Sequence, residues 1–126
     1  MRHTARAIII LDRKMLLVTG HGADFYWSPG GGIKKDETAI AALRRELFEE
    51  LNVKVKSAKP YLSYIVKETD QEVENFIVEI KGDIEPNKEI TKIAWLSKEN
   101  FINKDIKISF GLATKLMPSL IKDGLI

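Results

Sequence analysis

Hydrophobic positions along this chain repeat with two different periods, and the change from one to the other divides it into elements. Residues 7–11, Ala-Ile-Ile-Ile-Leu, are apolar and largely β-branched, and predict a central strand. Asp12, Arg13 and Lys14 make a polar turn, and residues 15–19 return as a second strand. Residues 20–24 read as a loop carrying His21. The aromatic cluster Phe25, Tyr26 and Trp27 follows, and Pro29 ends any strand that holds it. Gly30, Gly31 and Gly32 are the densest glycine run, where a backbone can approach a ligand closely.

The longer period begins at Asp36. Residues 36–51 predict the one strong helix, built on the helix formers Ala39, Ala41, Ala42 and Leu43. Asp36 or Thr38 offers an N-cap, and Glu37 places negative charge near the positive end of the helix dipole. Asn52 follows the last helical position and suits the left-handed conformation that stops a helix. Residues 53–56, 61–66, 73–80 and 92–96 predict further strands, with a polar loop at 82–88 around Pro86. Residues 97–101 suggest a capped turn. Residues 111–122 suggest a second helix, with Leu112, Leu116 and Leu120 at helical spacing and Pro118 interrupting it. Strands on both sides of one strong helix indicate an α+β or sandwich fold.

The length of 126 residues fits a single domain over 1–126, large enough to bury a core without staples. There is no cysteine, which excludes disulfides, thiolate metal sites and a cysteine nucleophile. The net charge of +2 is too small to imply a nucleic-acid or membrane partner, and no basic stripe points to one. No apolar stretch approaches the length of a membrane span, and the N-terminal run lacks the features of a signal segment. A cytoplasmic protein, monomeric or homodimeric, is the expectation.

Candidate chemistry sits on the helix. On a wheel of about 100° per residue, Ile40, Leu43, Leu47 and Leu51 fall at roughly 0°, 300°, 340° and 20°, an apolar stripe that must face the core. Glu46, Glu49 and Glu50 fall at roughly 240°, 180° and 280°, side by side next to that stripe. Like charges at this spacing repel. Arg44 and Arg45, at roughly 40° and 140°, flank the cluster without filling it. A divalent cation would fill it, and hard oxygen ligands select Mg²⁺, Mn²⁺ or Ca²⁺. Taken alone, such a cluster is more often a solvated acidic face.

Context changes that reading. Residues 31–53, GGIKKDETAIAALRRELFEELNV, resemble the Nudix box: Gly, five residues, Glu, seven residues, Arg-Glu, an aliphatic residue, any residue, Glu-Glu, any residue, Gly, an aliphatic residue. Gly31, Glu37, Arg45, Glu46, Leu47, Glu49, Glu50 and Val53 match it, and Trp27-Ser28-Pro29-Gly30 resembles the usual approach to the box. Asn52 stands where the family usually has Gly, and Asp36 where Gly often precedes the box Glu. Neither departure removes a carboxylate.

The resemblance implies a Nudix-type α/β/α sandwich with a central mixed sheet and a loop–helix–loop motif, similar to small MutT-like members. It implies a hydrolase that cleaves a phosphoanhydride in a nucleoside diphosphate linked to another group, with Mg²⁺ as cofactor and Mn²⁺ as substitute. Glu46, Glu49, Glu50 and the Gly30 carbonyl are the implied metal ligands, and Glu37 and Arg45 the supporting residues. Glu49, or an acid from a loop outside the box, is the implied base. Glu89 before the Trp95 strand is the candidate loop acid, with Glu85 its rival. Gly31, Gly32, Arg6 and Trp27 are candidates to meet substrate, and Phe25 or Tyr26 could stack on a base, although core packing suits at least two of the three aromatics. Trp95 is read as core, and His3 and His21 receive no role. The favoured substrate is a nucleoside triphosphate, in normal or oxidised form. ADP-ribose-like compounds, dinucleoside polyphosphates and a silent nucleotide-binding domain are the alternatives.

Overall fold

The apolar runs of the N-terminal half form strands covered on both faces. In the computed structural model, which describes residues 1–126, β1 (Arg2–Ile8), β2 (Ile10–Leu11) and β3 (Lys14–Gly20) lead the chain. On β3 the period of two assigns each side chain to a core: Leu16 and Val18 join one cluster, Met15 and Leu17 another. The remaining elements are β4 (Gly30–Gly32), α1 (Ala39–Leu51), β5 (Lys54–Val66), β6 (Gln71–Lys81), β7 (Ile90–Leu96), α2 (Lys98–Asn103) and α3 (Met117–Lys122). A mixed sheet runs β4-β1-β6-β5, in which only β1 and β6 are parallel, and an antiparallel sheet runs β2-β3-β7. Leu43, Leu47 and Leu51 of α1 are fully buried in the first cluster; Leu116, Met117 and Leu120 cap the second. The result is the layered α/β/α arrangement that the family resemblance implied. No helix is long and apolar enough to cross a membrane.

Several boundaries differ from the sequence reading, each for a tertiary reason. The apolar run at 7–11 is divided, because the chain passes there from one sheet to the other. The glycine run is a strand, paired antiparallel with β1 through Thr4↔Gly32, Ala5↔Gly31 and Arg6↔Gly30. Gly30 has φ 134°, and a Cβ there would lie 2.1 Å from the Ala5 carbonyl oxygen, so only glycine permits this pairing. The strands expected at 53–56 and 61–66 are one, β5, which bulges twice and runs through Pro60. It tolerates the proline because it is an edge strand. Near the C-terminus, a π-helical turn over Leu112–Leu116 precedes α3. That wider turn relieves the clash an α-helical carbonyl would have with Pro118. Ser97 caps α2 in a reciprocal pair with Asn100.

The ends of α1 decide where its carboxylates point. Thr38, not Asp36, is the N-cap: its Oγ1 accepts from the Ala41 amide at 3.1 Å, while Asp36 sits at φ 66° in the loop before it. Asn52 stops the helix at φ 58°, ψ 33°, its amide donating to the Phe48 carbonyl. An Asn52→Gly variant is therefore expected to melt with the wild type, whereas Asn52→Val loses about 1 kcal/mol or more, because a β-branched residue is strained there. Thermal melts of the three proteins check this, and coincident midpoints would remove the left-handed stop as the reason.

Candidate active site

The loop 82–89 is fastened to the C-terminal end of α1. The amides of Glu85 and Asn87 donate to the Leu51 and Glu50 carbonyls at 2.9 and 2.8 Å, supplying partners that a helix end lacks. This brings Lys88 and Glu89 beside the acidic face of the helix.

Arg45 ties the glycine strand, the loop before α1 and the helix together. Its Nε and Nη2 donate to the two oxygens of Glu37, each at 2.9 Å, in a bidentate pair. Nη1 donates to Glu46 Oε1 at 2.6 Å and Nη2 to the Gly32 carbonyl at 3.0 Å. Hydrogen bonds from Arg45, then from the Lys34 amide, lower the Glu37 carboxyl to about 2, and the same pairing raises Arg45 further. Glu37 therefore stands as a fixed anion behind the site, and Arg45 orients Glu46.

Glu50 is the buried carboxylate, with only 7% of its surface exposed. Its Oε1 accepts from the Gly30 amide at 3.0 Å. Burial, opposed by that hydrogen bond and reinforced by Glu46, pushes it up to about 7. Glu46 lies against Gly31 so closely that a Cβ there would come within 2.6 Å of its carboxyl carbon. Glu46 Oε2 and Glu50 Oε2 accept no hydrogen bond from the protein and are not buried orphans, so both are open to a ligand.

One cleft of about 320 Å³ gathers Glu46, Glu50 and Glu89 with Gly30, Gly31, Gly32, Arg6 and Trp27. Glu49 stands outside it, its Oε2 held by Lys88 at 3.0 Å and 3.7 Å from Arg45. The Gly30 carbonyl accepts from Arg6 Nη1 at 3.0 Å. As they stand, no three acidic groups converge tightly enough to hold an ion. Glu46 and Glu49 are instead held in ion pairs by Arg45 and Lys88. The donor set itself, open carboxylate oxygens around a glycine strand, suits a hard divalent cation.

Two polar residues of the cleft carried no expectation. Arg2 lines it on the same strand as Arg6; their spacing of four on β1 puts both on one face, a signal readable once the strand begins at Arg2. His21, at φ 56° in the loop after β3, brings Nε2 to 3.9 Å from Glu89. Nothing in its sequence neighbourhood distinguishes it. Lys34 and Lys35 do not line the cleft, and Glu85 is exposed.

A second cleft, also about 320 Å³, opens beside the first, and Arg6 and Trp27 line both. Its walls include Phe25, Tyr64, Val73 and Phe110. Phe25 and Trp27 meet at 5.5 Å between ring centres, tilted by 57°. Of the aromatic triplet, Tyr26 and Trp27 are partly buried and each packs against a core cluster, while Phe25 is exposed, so two of the three serve the core as expected. Trp95 packs against the first core, as read. Arg6 donates to the Ser28 and Gly30 carbonyls, and burial lowers its pKa although Glu50 opposes this.

Comparison with known proteins gives a consistent relationship. A family model described as NUDIX domain matches residues 1–114. No match is found among curated proteins. Among solved structures, the Escherichia coli ORF135 protein superposes with a TM-score of 0.80 at 22% identity, covering 98% of this chain and 92% of that one. A MutT structure from a study of the Aliivibrio salmonicida and Vibrio cholerae proteins gives 0.81 at 16% identity, covering 97% and 98%. An ADP-ribose pyrophosphatase from Streptococcus suis gives 0.70 at 18% identity, covering 98% and 90%.

Proposed function

The chain belongs to the NUDIX domain family of pyrophosphohydrolases, and on that premise we propose that it hydrolyses a nucleoside triphosphate to the monophosphate and pyrophosphate with Mg²⁺. The family acts on phosphoanhydrides of small nucleotides and generally needs a divalent metal; the substrate and the metal are the proposal. The observation that carries it is the pair of joined clefts. One is lined by carboxylates and arginines, the other by aromatic rings, and Arg6 and Trp27 stand at their junction. A substrate with a charged phosphate chain at one end and a planar base at the other matches that division.

Glu46, Glu50 and Glu49, with the Gly30 carbonyl, are the residues that would hold the metal. When bound, a divalent ion neutralises phosphate charge and acidifies the attacking water. Arg45 and Glu37 keep Glu46 in place, as outer-shell partners do at many such sites. Arg6, fixed by two backbone carbonyls, presents its remaining N–H donors to the substrate, and Gly31 and Gly32 keep that wall free of side chains. Trp27 and Phe25 offer faces to the base. The domain over 1–126 acts as one catalytic unit. A nucleotide panel with Mg²⁺ and product identification tests this. Release of pyrophosphate from a triphosphate is expected; preferred cleavage of ADP-ribose or a dinucleoside polyphosphate would reassign the substrate, and binding without turnover would make the domain a sensor.

Glu89 is proposed as the base. It shares the cleft with Glu46 and Glu50, whereas Glu85 contributes its amide to the end of α1 and leaves its side chain in solvent. Glu89→Gln is expected to lower turnover at least about tenfold, a floor set below the roughly 10²-fold that a lost proton acceptor typically costs. Glu85→Gln should leave it near normal. Unchanged kinetics for Glu89→Gln would pass the role to Glu49.

A further inference from the structure

Lys88 is the one cation in direct contact with Glu49 Oε2 at hydrogen-bond distance, 3.0 Å away. Its position follows from the backbone. α1 has no basic residue in its last turn, and Arg45, one turn earlier, is committed to Glu37 and Glu46 and stays 3.7 Å from Glu49, so the negative end of the helix dipole lacks a close counter-charge at Glu49. The loop that caps this end supplies one. Lys88 adopts φ 55°, uncommon for lysine, and the Ile90 amide closes the turn onto the Asn87 carbonyl at 3.1 Å. The turn sends Lys88 to Glu49 and leaves Glu89 lining the cleft.

We propose that Lys88 is a built-in competitor for the divalent metal, an ammonium that holds Glu49 out of the ligand set until a metal ion displaces it. The proposal rests on the reading of Glu49 as a metal ligand. A dication arriving at Glu49 meets a positive charge already on the same oxygen, and the two repel at this range. The lysine side chain is half exposed and can swing into solvent, so the competition is modest and reversible.

Manganese binding to the substrate-free protein, followed by electron paramagnetic resonance of free Mn²⁺, tests it without turnover. Lys88→Met is expected to bind Mn²⁺ about twofold to fivefold more tightly than wild type, the scale of an exposed ion pair. Lys88→Arg should restore wild-type affinity. Lys122→Met removes the same charge from α3, where the lysine makes no ion pair, and should leave affinity unchanged. Equal or weaker binding by Lys88→Met overturns the competition, as does equal tightening by Lys122→Met. A wild type that binds no Mn²⁺ overturns the metal-site reading itself, and the competition with it.

Discussion

Exchange of Glu49 or Glu50 for glutamine is expected to lower turnover at least about 10²-fold with the fold retained, the scale on which deletion of one key electrostatic group acts. Glutamine keeps the shape and removes the charge. For Glu50 the structure also supplies a control on folding. Its carboxyl is raised to about 7 when folded, against an ordinary value of 4.5. The folded state therefore holds the proton more tightly than the unfolded chain. The stabilising contribution is complete below about pH 4 and fades as pH rises through 7. Above pH 7 the metal-free wild type carries a buried anion at a cost on the order of 3 kcal/mol. Glu50→Gln, whose oxygen can still accept from the Gly30 amide, should be more stable than wild type at pH 8 without metal, yet nearly inactive with it. Steady-state rates and melts at pH 4 and pH 8 measure both. Near-normal rates for both variants under saturating metal would falsify the assignment of the box carboxylates.

Removal of divalent metal should abolish turnover altogether, with recovery on addition of Mg²⁺ or Mn²⁺. Glu46, Glu50 and Glu89 line the cleft proposed for the phosphates, and Arg2 and Arg6 alone cannot offset both sets of negative charge. Because Glu50 must lose its proton to bind a cation, the Mg²⁺ concentration for half-maximal rate should fall as pH rises from about 6 to about 8. Full turnover in excess chelator would sink the metal mechanism. A half-maximal Mg²⁺ concentration independent of pH would instead remove Glu50 from the ligand set.

The sequence by itself determined the helix, its apolar stripe and the acidic row beside it, because those depend on spacing within one element. Leu43, Leu47 and Leu51 are buried as the wheel required, and Asn52 stops the helix where its side-chain chemistry suggested. The box spacing also carried the family, since its matches lie within one contiguous stretch. Tertiary structure decided what faces that row. Pairing with β1 turned the glycine run into a strand and put the Gly30 amide on Glu50, a contact between residues twenty apart. Capping of α1 by the amides of Glu85 and Asn87 brought Lys88 to Glu49 and Glu89 to the cleft. Arg2 and His21 reach the cleft from β1 and from the loop after β3. Periodicity reports which face of an element is apolar. It carries no information about which distant loop completes a helix end or which strand lies beside a glycine run. Those choices are made by backbone hydrogen bonds between segments, which must be satisfied wherever the chain is buried.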